Sequence, residues 1–165
     1  MHPIIKEYIN SNTRLEEVIE KYYRKDDFFE SIFLELAKTS GHKIDFDPSI
    51  YAKMDQAIVK GHPDQNIYLL FIQAAIVVTN SQRQIEKAKS LQSIAASLSH
   101  EKIHPLFRAL NMQASTIVLF YEENMIEALR VMKAAVNLVE HQLPRYQSIL
   151  GNYATMLAGE GKLND

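Results

Sequence analysis

Residues 62–78 read HPDQNIYLLFIQAAIVV. The stretch opens on a His-Pro pair, continues apolar through several helical turns, and carries two small residues, Ala74 and Ala75, in its middle. Two later stretches echo it: HPLFRALNMQASTIVLF over 104–120 and LPRYQSILGNYATMLAG over 143–159. Their prolines, Pro63, Pro105 and Pro144, recur at a nearly constant interval. Small residues recur at mid-helix, Ala114 to Thr116 in the second stretch and Ala154 in the third. The first two stretches are each followed by a turn and a second periodic segment with an early alanine, IEKAKSL and MIEALRV. A period of about 40 residues with two helices per unit is the sequence signature of stacked helix pairs. The small residues have a mechanical role, because a large side chain there would push the two helices of a unit apart.

Outward from this repeat the chain is helical throughout. Prolines fall just ahead of apolar-periodic segments, where the first helical turn has an N–H to spare. Gly41 and Gly61 follow such segments and suit left-handed C-caps. Thr13 with Glu16, Asp27 with Glu30, Ser81 with Gln84 and Asn124 with Glu127 match the capping pattern of a short polar residue and a Glu or Gln three positions on. Leu15, Val18, Ile19 and Tyr22 form one apolar stripe; Ile85, Ala88, Leu91, Ala95 and Leu98 form another. Segment 125–140 has only a narrow polar stripe, which predicts a mostly buried helix. No segment alternates as a strand does, and no Asn-Gly or Asp-Gly hairpin turn occurs. Helices are expected near 3–10, 14–25, 28–40, 48–60, 63–79, 82–99, 105–122, 125–142 and 144–158. The short connections make successive helices antiparallel neighbours.

The composition narrows the function classes. The chain has 165 residues, 47% of them hydrophobic and 23% charged, an ordinary globular balance. A net charge of -2 offers no broad basic face to nucleic acid or anionic lipid. Residues 1–47 carry 7 Lys/Arg against 10 Asp/Glu, which argues against a phosphate-contacting helix-turn-helix there. The absence of cysteine excludes disulfides, thiolate catalysis and Cys-based zinc sites. No basic region followed by an apolar run marks a signal peptide. The most apolar stretch, 67–78, falls well short of the roughly 20 residues that span a bilayer. A cytoplasmic location is expected.

One motif carries an enzymatic suggestion. SLSHEKIHPLF, 97–107, contains His100-Glu101-x-x-His104, the spelling of a zinc-protease helix. That chemistry needs both imidazoles one turn apart on a continuous helix. Pro105 disfavours the helical conformation at His104 and restarts the next helix, as Pro63 does after His62. His104-Pro105 is therefore read as a corner between units, with zinc catalysis the remote alternative. The aspartates of HKIDFDPS, 42–49, lack the glycine and terminal Glu of a calcium loop, so Asp47 reads as a helix cap. No Gly-rich phosphate loop or nucleophile setting appears. No metal and no cofactor are expected.

Segments 152–165, NYATMLAGEGKLND, and 124–138, NMIEALRVMKAAVNL, resemble the tetratricopeptide repeat. Ala154 matches its small position, Leu157 the large apolar position one turn on and Gly161 its turn glycine; Ala128 and Ala135 match the alanine positions of its second helix. The resemblance covers residues 63–165, in a long-repeat form like that of bacterial regulators that read peptides or partner proteins. It implies an all-α fold of antiparallel helix pairs stacked as a short right-handed α-solenoid. Residues 1–60 are expected to be an irregular helical part and 61–165 the repeats, in one continuous domain. The implied function is a non-catalytic protein- or peptide-binding scaffold. The alternative is the sensory domain of a larger bacterial transcriptional regulator.

In such an array the first helix of each unit lines the concave surface. Carried over from the small positions, the groove candidates are Phe71, Gln113, Ile117, Phe120, Gly151 and Thr155. Phe71, Phe107, Phe120 and Tyr121, at helical spacing in apolar runs, read first as core aromatics and second as groove lining. The expected partner is a protein or peptide; neither nucleic acid nor membrane is expected. Ile149, Leu150, Tyr153, Met156 and Leu157 on the last helix are expected to lack cover, which predicts either further sequence beyond it or a homodimer through that helix.

Overall fold

The computed structural model describes residues 1–98 and 102–159. The described residues are all-α and contain no strand. The helices are α1 (Pro3–Asn10), α2 (Leu15–Tyr22), α3 (Phe28–Ser40), α4 (Ile50–Lys60), α5 (Gln65–Ser81), α6 (Ile85–Ser97), α7 (Pro105–Tyr121), α8 (Met125–Leu138) and α9 (Tyr146–Gly159). Each consecutive pair from α1 to α4 packs together, as do α5 with α6, α6 with α7, α7 with α8 and α8 with α9. In addition α3 lies against α5, and α5 against α7.

The three His-Pro corners share one device. His2 Nδ1 accepts the Ile4 N–H at 3.2 Å, His62 Nδ1 that of Asp64 at 2.9 Å, and His104 Nδ1 that of Leu106 at 3.1 Å. Proline follows each histidine and brings no N–H, so the imidazole serves the next donor along. At α5 this turn hands over to Asp64, whose carboxylate takes the N–H groups of Asn66 and Ile67 at 2.9 and 3.2 Å. At α1 and α7 the histidine is itself the N-cap and proline the first helical residue. Asp27 and Asn124 cap α3 and α8 as expected. The capping pairs at Thr13 and Ser81 do not form: α2 starts after Arg14 and α6 after Gln84, neither with a side-chain cap. Ser81 instead ends α5, its hydroxyl donating to Val78 O at 2.7 Å. Asp47 receives the Ser49 N–H at 3.0 Å, which holds its carboxyl below the usual range, but α4 begins only at Ile50.

The repeat is regular in its helix limits. α5 runs from Gln65 to Ser81 and α7 from Pro105 to Tyr121, so the two are offset equally at both ends. The starts of α6 and α8, Ile85 and Met125, share that offset. The turns between them match bond for bond. The N–H groups of Gln82, Arg83 and Gln84 go to the carbonyls of Val78, Asn80 and Thr79; those of Glu122, Glu123 and Asn124 go to Val118, Phe120 and Leu119. Arg83 and Glu123 both take the left-handed conformation at φ 56°. The end of α3 repeats the pattern: Gly41, His42 and Lys43 donate to Ala37, Thr39 and Lys38, with His42 at φ 59°. The left-handed residue expected at Gly41 is thus the next one, His42. Gly41 gives room to a neighbour: a Cβ there would lie 2.9 Å from the buried Glu16 carboxylate and would make that side chain shift. Gly61 does adopt positive φ, at 69°. The stretch expected to be irregular therefore contains a helix end built like those of α5 and α7; its departure is the 43–49 connection, which delays α4.

One hydrophobic cluster runs from Ile4 on α1 to Ile149 on α9. Its centre is aromatic: Phe29 lies 4.8 Å and Phe33 5.7 Å from Phe71, ring centre to ring centre. Of the last-helix residues expected to be bare, Ile149 is buried, and Leu150, Tyr153 and Met156 are half-buried against the core. Glu30 is a buried carboxylate at the first turn of α3, a favourable end for negative charge. The Arg24 backbone N–H donates to it at 2.9 Å and the guanidinium at 3.3 Å.

Candidate functional site

Side-chain amides set the spacing of α5, α6 and α7. Gln73 Nε2, on α5, donates to Phe107 O of α7 at 3.1 Å. Asn111 Nδ2, on α7, donates to Ala95 O of α6 at 3.1 Å. Asn66 Oδ1 receives the His104 N–H at 3.0 Å. These bonds draw α5, α6 and α7 together. The next step differs: α9 packs on α8 and makes no comparable contact with α7.

The resulting gap is a cleft of about 510 Å³. Leu70, Gln73, Ala74 and Val77 of α5 form one wall, and Leu110, Gln113, Ala114, Thr116, Ile117 and Phe120 of α7 form the floor. Asn152, Thr155 and Met156 of α9 close the far side, with Tyr8, Leu15 and Ser40 around the rim and the fully buried Met132 completing the lining. Among the described residues no Asp, Glu, Lys, Arg or His lines it. Val77 and Phe120 are each 42% exposed, so the apolar wall is reachable from solvent. Gln113 Oε1 is buried on this wall and has no hydrogen-bond partner.

A long-range tie fixes the rim. Arg145, ahead of α9, donates through Nε to Tyr8 O at 2.6 Å and through a terminal nitrogen to Thr13 O. Its guanidinium lies 3.5 Å from the centre of the Tyr8 ring, which stacks on Phe107 at 5.9 Å. Burial pulls the Arg145 guanidinium below its ordinary value and pushes the Tyr8 phenol above its own, Arg145 opposing the latter.

Four of the six groove candidates, Gln113, Ile117, Phe120 and Thr155, meet on this cleft. Phe71 does not: it is fully buried in the aromatic core. Gly151 lies exposed on α9 outside the lining and accepts the Thr155 hydroxyl at 2.9 Å. The difference at Phe71 is one of register. Aligning on prolines equates Phe71 with Gln113, whereas Pro63 precedes the cap of α5 and Pro105 is the first residue of α7. Counting from the first helical residue equates Gln73 with Gln113 and Ala74 with Ala114, and finds the α5 wall. Tyr8 and Leu15 carry no local signal.

His100 and Glu101 of the protease-like motif, and Gly161 of the repeat-like turn, lie outside the described residues. His104 is described, and it caps α7 in extended conformation at φ −58°, ψ 139° after α6 has ended at Ser97. Its Nδ1 lone pair is committed to the Leu106 N–H. Burial lowers the His104 pKa, with Glu140 opposing, so the neutral acceptor form is favoured. No group of three or more His, Cys, Asp or Glu placed to hold a metal ion occurs among the described residues, and no described helix is long and apolar enough to cross a membrane. Comparison with protein-family models, curated proteins and solved structures finds no match to this chain.

Proposed function

We propose that the chain is a non-catalytic protein- or peptide-binding module, with its partner seated in the cleft between α5, α7 and α9. The observation that carries this reading is the cleft itself: an apolar, charge-free wall with Val77 and Phe120 open to solvent, on first helices held rigid by buried amide bonds. Exposed apolar surface in a concavity is the usual mark of a docking site. The matching turns at 41–43, 82–84 and 122–124 support a tetratricopeptide-like stack of helix pairs, right-handed as that family's arrays are, with its first helices on the concave side. A preformed groove binds without the cost of ordering itself.

The test is a selection from a random heptapeptide library displayed on phage against the full chain, with affinities then measured for synthetic peptides. Peptides that bind the native protein and are lost on Phe120→Asp, with helicity unchanged by circular dichroism, support the reading. Failure to select any peptide, or indifference to Phe120→Asp, rejects it.

A further inference from the structure

The geometry points to a specific chemistry for the occupant: an uncharged, extended, apolar peptide segment, one of whose backbone N–H groups is received by Gln113 Oε1. The inference rests on the reading of the cleft as a peptide site and narrows it.

Three observations converge. First, the described lining has no ionisable side chain other than Tyr8. A Lys, Arg, Asp or Glu of the partner entering it would leave water and meet no counter-charge, and an uncompensated buried charge is strongly disfavoured. The chain termini of a peptide are excluded for the same reason, so the segment is internal. Second, Gln113 Oε1 is buried without a donor. The terminal torsion of glutamine is broad, so a turn of the amide brings this oxygen to the cleft surface. There a partner N–H takes the place of water and keeps the acceptor from being left unmet once the cleft is covered. Third, the donor must be free. In a helix the backbone N–H groups beyond the first turn are already bonded within the helix, whereas in an extended strand they stand outward at alternate residues. Alternate side chains then fall on the apolar walls of Leu70, Val77, Ile117 and Phe120.

Peptides selected as above, with free ends capped, are compared for charge and scanned by N-methylation of each backbone amide. Expected are binders with neutral, apolar cores, and one amide whose methylation weakens binding to the wild type about tenfold, the scale of a single hydrogen bond to a buried acceptor. In Gln113→Leu the same methylation has no further effect. In Gln113→Glu, whose carboxylate oxygens still accept an N–H, the same methylation again weakens binding. Helicity of both variants is checked by circular dichroism. Binders with charged cores overturn the inference while leaving peptide binding intact, as does wild-type sensitivity to N-methylation that persists in Gln113→Leu. The absence of any cleft-dependent binder removes the underlying reading as well.

Discussion

Gln73 and Gln113 occupy the same place in two helices of equal length, yet their fates differ. Gln73 is buried and spends its amide on the backbone of α7. Gln113 makes no comparable bond and keeps its side-chain oxygen unpartnered on the wall of a cleft. The local sequence is nearly the same, Gln-Ala-Ala in one and Gln-Ala-Ser in the other. What separates structural glue from candidate recognition group is the neighbour: α7 lies against α5, whereas α9 leans on α8 and is tied by Arg145 to the N-terminal helices.

The contrast can be broken or sharpened by substitution. The largest effect is expected at Phe71, on the closed side. Phe71→Ala should cost about 3–5 kcal/mol, as deletion of a buried aromatic does, while Phe120→Ala on the open side should stay within about 0.5 kcal/mol. Urea denaturation of both variants measures the difference, and equal losses would erase the distinction between core and cleft. Next comes the tie. Arg145→Met removes two charge-assisted hydrogen bonds and the contact with the Tyr8 ring, and about 2 kcal/mol should go with them. Hydrogen exchange should quicken first in α1 and α2. A loss spread evenly over the molecule would argue that the rim is not held at this point.

The two glutamines then give a difference in sign. Gln73→Leu should destabilise by about 1 kcal/mol, because a made bond is lost. Gln113→Leu should be neutral or stabilising by a few tenths, ~0.3 kcal/mol, because an unmet oxygen is removed. Thermal melts decide it, and two equal losses would mean that Gln113 is bonded after all. The smallest effect is in pH. Burial lowers the His62 and His104 values below the ordinary one. Above about pH 6.5 the rings are neutral in folded and unfolded chains alike, and the caps stand. As pH falls below that, the unfolded chain takes up protons first, and stability declines until the lowered folded values are passed. α5 retains the Asp64 cap but α7 has only His104. Protection of the Leu106 amide, measured relative to its intrinsic exchange rate at each pH, should therefore fall on acidification while that of Ile67 changes less, and His104→Asn, which caps without titrating, should flatten the response.

Helix positions and the corner at His104 are legible because each rests on local chemistry: a proline without an N–H, a short polar acceptor, an apolar period. The register of α5 escapes such reading by two positions. Proline looks like the marker of the helix start, whereas Asp64 takes over the capping directly after it. The kinship of α3 with α5 and α7 lies in backbone bonds that place no side-chain requirement on Lys38, Thr39 or His42, so no motif announces it. Half the cleft is readable from α7 and α9. The rim is not, since Tyr8 and Arg145 stand far apart in the chain and nothing near either residue foretells their meeting.

Among the described residues the three non-glycine positions at positive φ, His42, Arg83 and Glu123, leave a margin unclaimed. An L-residue held there gives up roughly 1–2 kcal/mol that glycine would not. Installing glycine at all three should raise the melting temperature and leave the surfaces between untouched. Evolution or an engineer could draw on that margin to tolerate otherwise damaging changes in the walls where new specificities would be written.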